Sequence, residues 1–194
     1  MGMIINDGTG TGFRAKVDLN NRMHTLAVSE TIEHIRAVAG DGYLAGTPVI
    51  NLTSGTISAL FYLLNNEDED VVATSLIGNF GNSTGGAGDL SIVATLNPTG
   101  GTLITAGVAT PPINKNFGSS KTLDVTSLVG AEGSTITGGT PIAQIPFAQV
   151  GRISLEVGDL IIPRGAALAL SIIPQTGNTD MNVTITSGIY LDIK

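Results

Sequence analysis

Ala166-Ala167-Leu168-Ala169-Leu170-Ser171-Ile172-Ile173, then Pro174-Gln175-Thr176-Gly177-Asn178-Thr179-Asp180, then Met181-Asn182-Val183-Thr184-Ile185-Thr186 and on to Ile193: this stretch decides the fold. Two runs rich in Val, Ile, Leu and Thr flank a cluster of Pro, Gly, Asn and Asp, the pattern of strands and the turns between them. The same pattern recurs upstream as far as Tyr43. Runs at 48–53, 56–64, 71–80, 89–96, 102–108, 122–129, 134–137, 142–150, 153–157 and 160–162 read as further strands. Hardly a helical period lies among them. An all-β chain is therefore expected, an antiparallel β-sandwich of two sheets packed face to face, with the jelly roll as the best-fitting member of that class.

Charge separates the beginning of the chain from the rest. Residues 1–40 hold four bases and four acids, whereas residues 41–194 hold five bases and twelve acids. An N-terminal arm, residues 1–40, is expected to precede a sandwich domain, residues 41–194. Within the arm, Ala15, Val17 and Leu19 alternate with Arg14, Lys16 and Asp18, and Asn20-Asn21 supplies turn chemistry before Met23 to Val28, so a small hairpin is expected. Ser29 stands where it would cap a short helix whose Ile32, Ile35 and Val38 share one face and which Gly40 ends.

Composition excludes several classes. The chain has 194 residues, enough for one domain with a real core but not for a second full one. With 16 acids against 9 bases the net charge is -7, and a free-standing nucleic-acid binder would need an excess of Lys and Arg instead. There is no Cys, hence no disulfide framework and no thiolate zinc site. No run reaches the 18 apolar residues of a membrane span, so a soluble protein is expected, and Met1 to Gly12 has neither the basic start nor the apolar segment of a secretory signal. The core must be mostly aliphatic, because the chain has five Phe, three Tyr and no Trp. Charged residues make up 13% of the chain, while Thr numbers 23. Such a surface suits permanent contacts, and it equally suits a sheet exterior chosen for β-propensity.

Several motifs invite chemistry. Gly81-Asn82-Ser83-Thr84-Gly85 spells the nucleophile elbow G-x-S-x-G, but a glycine loop follows where a helix is needed, and both histidines precede the serine. Gly8-Thr9-Gly10-Thr11-Gly12 lacks the spacing and the Lys-Ser/Thr ending of a phosphate loop. His24 and His34 lack any carboxylate at metal-ligand spacing. Asn65-Asn66-Glu67-Asp68-Glu69-Asp70 gathers oxygen ligands between two strands, which makes Glu67, Asp68 and Asp70 a weak calcium candidate at what reads as a hairpin tip. The same acids could supply a glycosidase pair, but no aromatic platform for a sugar stands nearby. Asn51-Leu52-Thr53, Asn82-Ser83-Thr84 and Asn182-Val183-Thr184 are glycosylation sequons by spelling alone. No acid, base and nucleophile stand at a defensible spacing, so no enzyme and no cofactor are expected.

Three stretches carry a resemblance. Asp7-Gly8-Thr9-Gly10-Thr11-Gly12 leading to Ala15-Lys16-Val17-Asp18 and Asn21-Arg22-Met23 is similar to the opening of many virion structural proteins of tailed double-stranded DNA bacteriophages. Phe61-Tyr62-Leu63-Leu64-Asn65-Asn66-Glu67-Asp68 resembles the strand and acidic turn of those proteins. Most distinctive is Asn114-Lys115-Asn116-Phe117-Gly118-Ser119-Ser120-Lys121-Thr122-Leu123, followed by Gly130-Ala131-Glu132-Gly133, Ile162-Pro163-Arg164-Gly165 and Thr176-Gly177-Asn178-Thr179. The resemblance implies a capsid-associated jelly roll, often trimeric, that acts as cement or decoration on the outer surface of the head and contacts the major capsid protein. Candidate interface residues are Phe13, Arg14, Lys16 and Arg22 in the arm and Asn114, Asn116, Phe117 and Lys121 in the loop. In that loop the amides can satisfy backbone groups while Phe117 plugs an apolar pocket, expected in its own chain. The competing expectation is a receptor- or glycan-binding sandwich on a virion appendage, since jelly rolls also serve as lectins.

Overall fold

A computed structural model of the chain describes residues 16–17, 23–24, 30–53, 55–82, 89–148, 151–155, 160–174 and 181–193. Two compact units emerge, Met1–Thr31 and Ile32–Lys194. In the first, strands β1 (Lys16–Val17) and β2 (Met23–His24) pair antiparallel with Lys16 opposite His24, as the hairpin expected there requires. Ser29, the expected helix cap, lies outside the described residues.

The second unit runs, in chain order, α1 (Ile32–Ala39), β3 (Gly42–Gly46), β4 (Ile50–Leu52), β5 (Ser58–Asn65), β6 (Asp70–Asn82), β7 (Asp89–Leu96), α2 (Thr102–Ala106), β8 (Val108–Ala109), β9 (Ile113–Asn114), β10 (Val125–Val129), β11 (Thr140–Ala148), β12 (Gly151–Leu155), β13 (Leu160–Ile162), β14 (Ala167–Pro174) and β15 (Met181–Asp192). One sheet has the order β11-β7-β14-β5-β10-β8. The other has the order β12-β6-β15-β3-β9, with β13 also on β6 and β4 on β15. All pairings are antiparallel. From β5 onward the main strands change sheet at each step, β5 to β6 to β7 and, after an insertion, β11 to β12 and β13, then β14 and β15. The result is four strand positions, β11-β7-β14-β5, against four, β12/β13-β6-β15-β3/β4, which is the strand order of a jelly roll.

The insertion, residues 97–139, lays β10 and β8 along the edge of β5 and β9 along the edge of β3, so it flanks both sheets on one side. Strand edges left open are templates for unwanted pairing, and this segment covers two of them.

Alternation puts Met181, Val183 and Ile185 of β15 into the core with Phe61, Leu63, Val71, Ala73, Leu90, Ile92, Leu168 and Leu170. The larger core cluster is aliphatic apart from Tyr43, Phe61 and Phe80. Strand β5 is buried on both faces. Ala59 and Tyr62 on its outer side pack with Leu103 of α2 and with Ala167 and Ala169, which explains why Ala59 to Leu64 is an uninterrupted apolar run.

Three expectations are corrected here. The run at 102–108 is not a strand: Thr102–Ala106 turns once as α2 before β8, because Gly101 and Gly107 bound it and Leu103 has the second apolar cluster to enter. The run at 134–137 contributes one bridge, Thr137 to Gly100. The acidic turn is no hairpin tip, since β5 and β6 lie in different sheets and residues 66–69 form the corner between them.

Candidate functional site

Helix α1 packs on β3 and β15 and ends in a Schellman motif. Gly40 at φ +81° donates from its N–H to the Ala37 carbonyl at 3.1 Å, and Asp41 N–H donates to the Arg36 carbonyl at 2.7 Å. The distinctive loop, residues 114–121, closes over this helix end. Asn114 donates from Nδ2 to the Gly40 carbonyl at 2.8 Å and to the Lys121 carbonyl at 3.1 Å, and Asn116 donates from Nδ2 to the Val38 carbonyl at 3.0 Å. Carbonyls that the helix leaves without an internal partner are thus met by side-chain amides. Each Asn also turns the loop locally: Asn116 N–H donates to Asn114 Oδ1 at 2.8 Å, and Gly118 N–H donates to Asn116 Oδ1 at 3.1 Å.

The far end of the loop is tied by charge. Lys121 Nζ lies 2.7 Å from Asp41 Oδ1, a carboxylate whose side chain is only 7% exposed. A buried carboxylate is costly unless paired, so Lys121 is what makes Asp41 tolerable beneath the loop. On the inward side of α1, Arg36 donates from Nη2 to the Ile193 carbonyl at 2.8 Å and meets Asp192 at 3.4 Å, which fixes the helix to the end of β15. Nearby, burial first and then the Asp41 and Glu67 carboxylates push the Tyr43 phenol above its ordinary value, while its hydrogen bond with Asn114 works the other way.

This well-tied loop presents Phe117, which is 90% exposed. The expectation that Phe117 plugs a pocket of its own chain is corrected: the hydrogen bonds of Asn114 and Asn116 hold the loop without it. Among the described side chains the other aromatics, Tyr43, Phe61, Tyr62, Phe80 and Tyr190, are buried. Beside the loop, the shared face of Ile32, Ile35 and Val38 looks outward, with Val38 64% exposed, because the small Ala37 fits against Gly42 and Arg36 is held inward. Further along the same edge, Leu44 of β3 stands opposite Ile113 of β9, and both are exposed. They line a groove of about 470 Å³ together with Gly46, Pro48, Pro111 and Thr186.

The calcium candidates are drawn apart. Glu67 accepts from the Asp124 N–H at 2.6 Å, Asp68 pairs with Arg164, and Asp70 lies in β6 opposite Asp192. Buried Asn65 organises the corner by donating from Nδ2 to the Glu69 and Ile162 carbonyls, each at 2.9 Å, and by accepting from the Glu67 N–H at 2.8 Å. Among the described residues no group of three or more His, Asp or Glu is placed to hold a metal ion.

No family model matches the chain, and no curated protein matches it. Among solved structures it is similar to a CocE/NonD family hydrolase from Staphylococcus aureus at 9% identity and a TM-score of 0.22, a match covering 77% of this chain. It spans about a third of that hydrolase, 32% of its length. The expectation that the chain is no enzyme is corrected accordingly: a hydrolase stands among its structural matches, and the exclusion of catalysis is withdrawn. A likeness this distant carries no argument for a hydrolase activity.

Of the interface candidates, Asn114, Asn116, Phe117 and Lys121 come together at the end of α1. Phe13, Arg14 and Arg22 lie outside the described residues, and Lys16 is described only as a backbone partner of His24 in the first unit. Residues 83–85 of the G-x-S-x-G stretch, the glycine loop at 86–88 and residues 8–12 also lie outside them. Asp41, the outward stripe of α1 and the Leu44–Ile113 groove are not foreseen from sequence. The small pair Ala37 and Gly42, five residues apart, is the signal that the helix turns its Ala side to the sheet.

Proposed function

We infer that the chain is a structural protein of a tailed double-stranded DNA phage virion, of the cement or decoration type, that docks on the outer surface of the head as a homo-oligomer. In this reading the oligomer is a trimer and the major capsid protein is its partner. One observation carries it: the loop most distinctive in the resemblance, Asn114 to Leu123, is held by its own hydrogen bonds while Phe117 stays 90% exposed. A ring that contributes nothing to its own core has its full apolar area left for a neighbour, about 150–250 Å² for an aromatic side chain. The adjoining stripe of Ile32, Ile35 and Val38 widens that surface, and contiguous apolar patches of a few hundred Å² mark interaction sites. The segment before α1 serves in this reading as a strap across neighbouring capsid subunits. The test is to mix the purified chain with phage heads that lack it and image the particles. Regular density on the outer surface is expected, and heads that remain bare overturn the reading.

A further inference from the structure

The groove between β3 and the insertion is lined by Leu44, Gly46, Pro48, Pro111, Ile113 and Thr186, none of them charged, and has a volume of about 470 Å³. A cavity of about 150 Å³ accommodates benzene, so this groove has room for a benzyl side chain and its flanking backbone. Phe117 of the same chain does not fill it, since that ring is 90% exposed. We propose that the chain assembles with itself by inserting Phe117 of one copy into the Leu44–Ile113 groove of the next. The proposal rests on the homo-oligomeric part of the reading above and names the junction that makes the oligomer.

Three observations favour a second copy as the occupant. Knob and groove are present on every chain, so each copy can both give and receive, the condition for a closed symmetric assembly. The knob loop, Asn114 to Lys121, holds no acid, and beside Lys121, whose charge is matched by Asp41, it carries Lys115, whereas the whole chain has a net charge of -7, so the loop is not repelled by another copy. Apolar surface beside the knob adds to the contact. A buried aromatic supplies about 150–250 Å² of the ~800 Å² per partner that a standard interface uses, and the exposed α1 stripe stands beside the knob loop, where Asn116 meets the Val38 carbonyl.

The experiment is sedimentation velocity on the full chain, on Phe117→Ala, on Ile113→Glu, and on an equimolar mixture of the two variants. Both side chains are exposed, Ile113 by 64%, so the fold should survive, and far-UV circular dichroism checks it. Pro48→Glu, in the turn after β3, is a second groove variant should Ile113→Glu fail to fold. An oligomeric wild type is expected, with each variant dissociating at roughly tenfold to hundredfold higher concentration, the scale of one lost aromatic burial. The mixture should recover dimers, because the intact groove of one variant accepts the intact knob of the other. A monomeric wild type, variants that assemble as tightly as wild type, or a mixture that stays monomeric would each overturn the junction. Heads decorated by a monomeric wild type would overturn self-insertion alone, whereas an oligomer that ignores heads would overturn only the capsid reading.

Discussion

Lys121→Met removes the ammonium that faces buried Asp41. At 2.7 Å and an effective dielectric of about 20, the gross attraction between Lys121 and Asp41 is about 6 kcal/mol. Lys121 is 52% exposed, so solvent screens a large part of this, and the desolvation of Asp41 offsets more. A net loss of about 2–4 kcal/mol is expected for Lys121→Met, because Asp41 stays buried without its partner. Asp41→Asn should cost less, about 1–2 kcal/mol, since a neutral amide needs no counter-charge. The double variant should sit close to Asp41→Asn alone, with the two effects far from additive. Urea unfolding followed by circular dichroism measures all three, and the slope should stay constant if only stability changes. A Lys121→Met variant within about 0.5 kcal/mol of wild type, or additive losses in the double variant, would refute the view that this pair ties down the loop.

Three further outcomes are expected. Gly40→Ala should destabilise by about 2–3 kcal/mol, from a positive φ that an L side chain resists and from a Cβ placed against Ser119 Oγ; adding Ser119→Gly should restore part of it in a thermal melt. Asn65→Ala should cost about 2–4 kcal/mol, because the buried Ile162 carbonyl and the turn at Glu67 and Glu69 lose their partner together, and the melting temperature reads this out. Stability should fall at alkaline pH. Burial raises the Tyr43 and Tyr62 phenols above their ordinary value near 10, so above that pH the unfolded chain releases protons while the folded one keeps them. Their contribution is intact below pH ~10 and lost as pH climbs through the folded values; a urea midpoint equal at pH 8 and 11 would contradict this.

Strand-forming runs were legible where one face meets the core. Met181 to Thr186 and Val71 to Phe80 read directly as β15 and β6 because the side-chain period matches the pleat. Legibility failed where tertiary partners override local pattern. Gly42 to Gly46 is short and glycine-bounded, and it becomes β3 only because β15 and β9 pair with it on either side. The apolar period of Ile32, Ile35 and Val38 correctly marked a helix, but its usual meaning is inward, and only the close seat of Ala37 on Gly42 and the anchoring of Arg36 at Ile193 reverse it. The loop candidates Asn114, Asn116, Phe117 and Lys121 were readable as a group from residue type. Their anchor Asp41 was not, since it lies 80 residues from Lys121 in sequence.

The central claim is that Phe117 works outside its own fold. Titrating heads that lack this chain with wild type and with Phe117→Ala, while following the melting temperature of each free protein, tests it most directly. The account predicts an unchanged melting temperature and docking weakened roughly tenfold or more, the scale of one buried aromatic side chain. Equal docking by the two proteins, or a Phe117→Ala chain that docks poorly only because it melts early, would contradict it.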